Sequence, residues 1–283
     1  MVFLKFNWAP DEVFIKIGSL GIHYYSLMFI IAFAAGYYIL KRMYKNEGVS
    51  DHFLEPLFVY TVLGTLIGAR LGEVFFYNWE YFQDHLVEIL LPVKEVTDGS
   101  MFFGLIQGWE FTGYRGLASH GAAIGIITAM ILYRKKYPYK TVIWILDRIV
   151  IPVSFGAIFI RIGNFFNSEI VGKYTGSNFG VVFENRGEIL PRHPAQLYES
   201  LGYIIVFLIL RHMYWNTQRK DQSGFLFGAF LTLVFSVRFV VEFVKESQGG
   251  FETALGLLST GQWLSIPLIL TGLIFAYRAQ KNT

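Results

Sequence analysis

Residues 142–166 read VIWILDRIVIPVSFGAIFIRIGNFF. A helix of this length and apolar content can cross the hydrocarbon core of a bilayer, which requires about 20 consecutive apolar residues. Its charged residues are Asp147 and Arg148 near one end and Arg161 near the other. A charge at bilayer depth is costly, so such residues usually face the protein interior and mark a substrate or ion path. The segment therefore predicts a transmembrane helix that carries a functional arginine.

Further apolar segments of similar length are spread along the chain. Hydrophobic residues make up 54% of the 283 positions and charged residues 16%, whereas a soluble domain carries about 25% charged residues. The other windows that can cross a membrane lie at 22–40, 56–77, 117–133, 196–213, 224–245 and 262–277. We therefore predict an all-α integral membrane protein with seven transmembrane helices in a single domain, 1–283. The sequence has no cysteine, which excludes disulfides, thiolate catalysis by the chain itself and cysteine-ligated metals.

Basic residues predict the orientation of these helices. Lys and Arg concentrate in the connections after the first, third, fifth and seventh windows, which the positive-inside rule assigns to the cytoplasm. The amino terminus is then outside and the carboxyl terminus inside. The connection at 78–116 is rich in acidic residues, agrees with an external location, and is long enough for a small external subdomain. The net charge of +3 is too small to indicate nucleic acid as a partner.

This orientation gives each intramembrane polar residue a depth. Arg70, Arg161 and Arg238 all fall in the outer part of their helices. Three cations that converge on one membrane face predict a binding site for an anionic ligand. Other polar residues predicted near this face are Tyr25, His120, Asn164, Glu199 and Glu242.

Each of these residues also has a purely structural interpretation. Arg238 and Glu242 are spaced i,i+4, which allows an ion pair on one helix face. Arg161 lies near a helix end, from where a long side chain can reach the interface. The imidazole of His120 can accept a proton near neutral pH, but a hydrogen-bonded structural histidine fits the same position. Spacing alone leaves these alternatives open.

Several short motifs carry a more specific signal. In chain order, from Tyr25 to Pro267, they resemble the bacterial prolipoprotein diacylglyceryl transferase family, and the motif at 161–172 is the most specific. The chain departs from the family pattern at Ile160 and Ala122, where glycine is usual. The motifs are GARLG at 68–72, GLASHGAAIG at 116–125, RIGNFFNSEIVG at 161–172, HPAQLYE at 193–199, RFVVE at 238–242 and GQWLSIP at 261–267.

The resemblance implies a reaction and a site. It implies transfer of a diacylglyceryl group from phosphatidylglycerol to the lipobox cysteine thiol of a preprolipoprotein, with release of glycerol phosphate, at the outer face of the bacterial inner membrane. It implies His120, Arg161 and Arg238 as catalytic residues, with His120 as the leading candidate for the base. The substrate-binding residues that it implies are Tyr25, Arg70, Asn164, Glu169, Gly172, Glu199 and Glu242.

The motif content bears on cofactors and on rival functions. The sequence has no His-Glu-x-x-His metal signature, no nucleotide-binding loop and no Gly-x-Ser-x-Gly elbow, so we expect a reaction without metal or cofactor. The alternative function is a lipid or organic-anion transporter or binding protein of the membrane, which would also gather arginines among its helices.

Overall fold

A computed structural model describes residues 5–17, 20–101, 104–111, 117–246 and 258–281. The described part of the chain is mostly helical. Its α-helices are α1 (Tyr24–Asn46), α2 (Asp51–Phe76), α3 (Trp79–Phe82), α4 (Leu86–Leu90), α5 (Ser119–Lys136), α6 (Val142–Phe166), α7 (Ala195–Asn216), α8 (Phe225–Val241) and α9 (Thr260–Lys281).

Each of the seven predicted windows overlaps one of the longer helices. Four of these, α1, α2, α6 and α9, are long and apolar enough to cross a membrane. Helix α8 is apolar as well, but with 17 residues it is shorter than the usual span. A mostly helical protein with membrane-spanning helices is therefore confirmed, while the count of seven spans stays a prediction.

The all-α class needs one correction, because short strands accompany the helices. Three two-stranded sheets occur in the described residues: β1 with β6 is parallel, whereas β2 with β3 and β4 with β5 are antiparallel. The pair β4–β5 falls within the segment predicted as an external subdomain, of which residues 102–103 and 112–116 lie outside the described residues. The strands are β1 (Lys5–Trp8), β2 (Val13–Ile17), β3 (Leu20–His23), β4 (Val93–Met101), β5 (Ile106–Phe111) and β6 (Gly180–Phe183).

Contacts divide the chain into two compact units. The first comprises Met1–Met43 and Ile143–Thr283, and the second comprises Tyr44–Val142. Each is described by itself below. The prediction of a single membrane domain over 1–283 stays a prediction.

The first unit is built on a core shared by α6, α7 and α8. Side chains such as Ile151, Leu210 and Leu226 are completely buried in it. Asp147 of α6 fixes the start of α8, since its carboxylate accepts hydrogen bonds from the backbone N–H groups of Gly224 at 2.7 Å and Phe227 at 2.8 Å. A carboxylate at a helix N-terminus satisfies otherwise unpaired donors. Asp147 therefore positions the start of α8.

The second unit depends on a glycine seam between α2 and α5. On α2, glycine recurs every fourth residue, at 64, 68 and 72. These glycines contact Gly121 and Gly125 on α5. A Cβ atom added at Gly68 would lie 2.5 Å from the carbonyl oxygen of Gly121. Only residues without a side chain permit so close an approach, which is the usual way for membrane helices to pack without a hydrophobic driving force.

Candidate functional site

The first unit places Arg161 in a buried polar cluster. Arg161 lies one turn before the end of α6, and its Nε atom forms an ion pair with Oε2 of Glu199 on α7. Its Nη1 atom donates to Oδ1 of Asn164 at 3.0 Å. Arg161 is only 8% exposed, and Glu199 is fully buried. The guanidinium is therefore buried inside the protein and held by side chains of α6 and α7.

The loop after α6 continues this network toward Glu169. Asn164 donates through Nδ2 to Oε1 of Glu169 at 2.7 Å, and Asn167 donates to the same oxygen at 3.4 Å. Gln196 of α7 donates to the backbone carbonyl of Glu169 at 2.6 Å. Burial raises the pKa of the Glu169 carboxyl above its ordinary range, although both amides favour the charged form. The motif at 161–172 thus forms one hydrogen-bonded unit with α7.

The backbone of this loop is strained on both sides of Glu169. Ser168 has a φ of 53° and Ile170 a φ of 57°, in the left-handed region that favours glycine. For a β-branched residue such as Ile170 this conformation costs about 1–3 kcal/mol and persists only where the surrounding structure enforces it. Strain of this kind is concentrated at functional sites, which marks the loop as part of one.

Helix α8 and the turn after it contribute a second set of charges. Glu242 lies one residue beyond α8, and its Oε2 atom is 3.5 Å from Nζ of Lys245. Lys245 also lies 3.8 Å from Oε1 of Glu199 and joins the charges of α8 to those of α7. The suggested pairing of Arg238 with Glu242 is not formed among the described residues, because Glu242 pairs with Lys245 instead.

Arg238 remains close to the cluster without a carboxylate partner in the described residues. It is half-buried, its guanidinium carbon lies 5.8 Å from the centre of the Phe235 ring, and its charge acts on Glu199. A guanidinium placed in this way can bind an incoming anion without first breaking an ion pair. This is the property expected of a ligand-binding arginine.

Two tyrosines complete the surroundings of Arg161. Tyr25 of α1 packs against α6 at Gly163, where an added Cβ would lie 2.7 Å from its ring. It is also an electrostatic neighbour of Arg161. Tyr203 of α7, one turn after Glu199, is buried and hydrogen-bonded to Arg161. The predicted proximity of Tyr25 to the arginine is thus present.

Gly172 has a structural explanation in its close backbone contacts. Its N–H group donates to the carbonyl of His193 at 2.9 Å, and it pairs with Lys245 in an antiparallel bridge. A Cβ at this position would lie 2.8 Å from the carbonyl oxygen of Val244. The glycine therefore allows the motif to pack against the backbone that carries Lys245.

A network of charges braces the same backbone from outside the helices. Arg192 contacts Glu188 at 2.8 Å and Glu246 at 2.9 Å, and its guanidinium stacks 3.9 Å over the ring of Tyr174. Partial burial acts to raise the pKa of Glu188, but hydrogen bonds from Tyr174 and Arg192 outweigh it, so that this pKa is lowered. Because Glu246 follows Lys245 directly, the network restrains the neighbouring lysine.

In the second unit, Arg70 serves a local structural purpose. Its Nη2 atom donates to the carbonyl of Glu88 at 2.5 Å, and its Nε atom donates to the carbonyl of Ile89 at 3.1 Å. The guanidinium also lies 4.6 Å from the centre of the Phe82 ring. Arg70 is thus tied to the end of α4 by neutral acceptors. Its role as an anion-binding residue stays a prediction with this competing explanation.

His120 lies in the second unit, in the first turn of α5. It is half-buried and directly precedes Gly121 of the glycine seam. The close contact between α2 and α5 fixes the backbone that carries the imidazole. The assignment of His120 as the base stays a prediction.

Sequence reasoning missed Lys245 and Tyr203. Lys245 stood at the very end of the predicted window 224–245 and was treated as a boundary residue. Its spacing was informative, because positions 238, 242 and 245 fall on one face of a helix. Tyr203 follows Glu199 by one turn, and the same periodicity could have identified it.

The arrangement suits an anionic ligand better than a metal ion. Within the described residues, no group of three His, Asp or Glu side chains could hold a metal. Cations and amide groups instead surround the carboxylates. Guanidinium groups bind phosphate through a planar fork of donors and keep their charge at any physiological pH.

Comparison with known proteins agrees with this chemistry. The sequence model of the family "Prolipoprotein diacylglyceryl transferase" matches residues 12–278. A phosphatidylglycerol–prolipoprotein diacylglyceryl transferase of Bacteroides fragilis is 41% identical over 97% of this chain and 95% of its own length. A protein of the same name from Tolumonas auensis is 39% identical over 97% of this chain and 98% of its own length. Another, from Chloroherpeton thalassium, is 38% identical over 99% of this chain and 96% of its own length.

Proposed function

The chain belongs to the prolipoprotein diacylglyceryl transferase family and transfers a diacylglyceryl group from phosphatidylglycerol to a prolipoprotein, and from this premise we propose that the cluster around Arg161 is its active site. The observation that carries the proposal is a buried guanidinium held by Asn164 and Glu199, with Arg238 as an electrostatic neighbour. The transferase assignment decides against the transporter alternative.

The acceptor is the thiol of the lipobox cysteine. Since this chain has no cysteine, the sulfur comes from the prolipoprotein. The sulfur attacks the glycerol carbon of the diacylglyceryl group and forms a C–S bond, while the bond between that carbon and the phosphate oxygen breaks. The electron pair leaves on the phosphate, and the products are the thioether and glycerol phosphate.

The arginines stabilise the leaving group. Negative charge on the phosphate increases as the C–O bond breaks, so fixed cations stabilise the transition state more than the bound lipid. Arg161 and Arg238 bind this phosphate. Asn164 and Glu199 orient Arg161, and Tyr25, Glu169 and Glu242 line the space for the headgroup. The site needs neither metal nor cofactor for this step.

His120 is the proposed base for the thiol, because a thiol with an ordinary pKa of about 8.5 is mostly protonated at neutral pH. The family resemblance at 116–125 supports this assignment. Arg70 and Gly172 keep their proposed places among the substrate-binding residues on the same basis.

The helices span the bacterial inner membrane seven times, with the amino terminus and the active site on the outer side. The distribution of Lys and Arg supports this topology. A cysteine introduced at Asp98 should be labelled from outside intact cells by an impermeant thiol reagent, and one at Lys136 should be protected until the cells are opened. Reversed labelling would contradict the topology, and the absence of native cysteine provides a clean background.

The site assignment is tested with purified protein, phosphatidylglycerol and a lipobox peptide. We expect a thioether product with the cysteine peptide and none with a matched serine peptide. Arg161→Gln should lose this activity, whereas a surface control, Arg278→Gln, should retain it. Normal thioether formation by a folded Arg161→Gln protein would refute the proposed site.

A further inference from the structure

Lys245 is a buried lysine whose role the reaction described above does not include. It is 5% exposed, and its ammonium group lies between Glu199 and Glu242 at 3.8 and 3.5 Å. Burial of an ammonium ion costs several kcal/mol unless partners compensate for the lost water. The two carboxylates supply this compensation, so the charge state of Lys245 depends on Glu199 and Glu242.

The backbone holds Lys245 in this place. Lys173 donates its N–H group to the carbonyl of Val244 at 2.7 Å, and Glu246 donates to Val171 at 3.1 Å. These bonds flank the bridge between Gly172 and Lys245. The backbone at 171–173 therefore fixes the backbone of Lys245, from which the side chain reaches Glu199 and Glu242.

A count of charges indicates what the ammonium group does. Each member of the cluster is joined to another by an ion pair or by a direct electrostatic interaction. Lys245 is the cation that contacts both Glu199 and Glu242, so its removal makes the net charge of the cluster more negative by one. The cations are Arg161, Arg238 and Lys245, and the carboxylates are Glu169, Glu199 and Glu242.

We infer that Lys245 is a positioning residue that neutralises Glu199 and Glu242, so that Arg161 and Arg238 can receive the phosphate of the lipid. Glu199 contacts both Arg161 and Lys245. When Lys245 shares this carboxylate, Arg161 is less completely neutralised and retains attraction for a second anion. The inference rests on the proposed function of the cluster. It assigns a role to Lys245, which is not one of the residues proposed to contact the phosphate.

The size of the effect follows from Coulomb's law. One charge at about 8 Å, with an effective dielectric constant of about 20, changes the binding of an anion by roughly thirtyfold. Removal of the charge should weaken binding of phosphatidylglycerol, which carries one negative charge, by about this factor, and binding of the more highly charged glycerol phosphate by at least as much. Because the charge of the phosphate grows during the reaction, kcat should fall as well.

The experiment compares Lys245→Met with Lys245→Arg in the full-length protein. The matched control is Lys173→Met, which removes an exposed lysine from the segment hydrogen-bonded to the backbone around Lys245. Each purified protein is tested for thermal unfolding, for kcat and KM with phosphatidylglycerol, and for binding of glycerol phosphate by calorimetry. Calorimetry does not require turnover, so it also reports on inactive variants.

The inference predicts that Lys245→Met binds glycerol phosphate at least about thirtyfold more weakly, while Lys245→Arg and Lys173→Met stay within a few-fold of the parent protein. Adding Glu242→Gln to Lys245→Met restores the charge balance. Binding by this double variant should therefore recover relative to Lys245→Met, which a loss of packing or of a proton donor would not predict.

Two outcomes would overturn the inference. One is glycerol phosphate binding by folded Lys245→Met that equals that of Lys173→Met. The other is equal weakening in Lys245→Arg and Lys245→Met, with no recovery in the double variant. A parallel Arg161→Gln protein separates the two levels of proposal: normal activity in that protein refutes the site itself, whereas loss of activity in Arg161→Gln, together with normal glycerol phosphate binding by Lys245→Met, refutes only the role of Lys245.

Discussion

Arg70 and Arg161 occupy similar sequences and have different environments. The first begins RLGEVF at 70–75 and the second begins RIGNFF at 161–166, so that each arginine is followed by glycine two positions later and phenylalanine five positions later. Both are buried near the C-terminal end of a long helix. Arg70 donates to two backbone carbonyls, whereas Arg161 binds a carboxylate and an amide side chain.

The comparison sets the structural explanation of Arg70, whose donors bind the backbone of α4, against its proposed place in substrate binding. The acceptors shown for Arg70 are the neutral carbonyls of Glu88 and Ile89, whose positions are set by the backbone of α4. The partners of Arg161 are side chains, and its principal partner, Glu199, is shared with Lys245. A guanidinium with a shared counter-ion can rearrange to bind a phosphate. Similar sequence motifs therefore support different functions, depending on what the arginine meets.

Replacement of each arginine by glutamine is the most direct way to break this comparison. Arg161→Gln should lower kcat by a hundredfold or more, because it removes about 3 kcal/mol of transition-state stabilisation. Arg161→Lys should rescue poorly, since lysine lacks the planar fork. Arg70→Gln should mainly lower thermal stability. Steady-state kinetics and thermal unfolding in detergent distinguish these results, and a folded Arg70→Gln protein with a hundredfold lower kcat would contradict the distinction.

His120 tests whether the second unit takes part in the chemistry. His120→Gln should slow transfer on the order of a hundredfold near neutral pH, and the defect should shrink above about pH 8.5, where the thiolate forms without help. The measurement is a pH–rate profile at saturating lipid, corrected for stability at each pH. A defect of constant size from about pH 7 to 9.5 would assign His120 a structural role.

The glycine seam sharpens the contrast between the units. Gly68→Ala should destabilise the protein by about 1–3 kcal/mol, because the new methyl group meets the backbone of α5. Gly156→Ala on α6 is the matched control, as its Cβ would lie at an ordinary 3.4 Å from Ala32. Alanine favours a helix over glycine, so this control should be neutral or stabilising. Equal unfolding temperatures for the two variants would contradict the close packing of the seam.

The smallest predicted effect concerns two acids in the segment that follows α6. The pKa of Glu169 is higher in the folded protein than in the unfolded chain. Glu169 therefore favours folding most at a pH below its pKa in the unfolded chain, and this stabilisation is lost as the pH rises through its pKa in the folded protein. Glu169→Gln should therefore stabilise the protein by up to about 1 kcal/mol near pH 7, and this gain should disappear in acid.

Glu188 provides the control of opposite sign. Its lowered pKa means that it contributes stability above its unfolded pKa, which is lost as pH falls through its folded pKa. Glu188→Gln should therefore destabilise the protein near neutral pH. Thermal unfolding between about pH 4 and 7.5 measures both variants. If both substitutions shifted the unfolding temperature in the same direction near neutral pH, the two carboxylates would not differ in the sign of their contribution.

Much of the site was predictable because its signals are local. Arg161, Asn164, Glu169 and Glu199 were all predicted from motifs as site residues, and the structure connects them by hydrogen bonds and an ion pair. A helix repeats its faces every three to four residues, so spacing predicts which side chains point the same way. Spacing alone left two partners possible for Glu242, Arg238 at i,i+4 and Lys245 at i,i+3, and the structure forms the pair with Lys245.

The sequence by itself determined the mostly helical, apolar character of this protein and its family, and it predicted the residues of a candidate site. Hydropathy and helical periodicity depend on neighbours along the chain and can be read without a fold. The tertiary structure decided the partners: carbonyls for Arg70, a shared carboxylate for Arg161, and a buried position for Lys245. These depend on which helix faces and loops meet, and buried charges must find their counter-ions among groups that are distant in sequence.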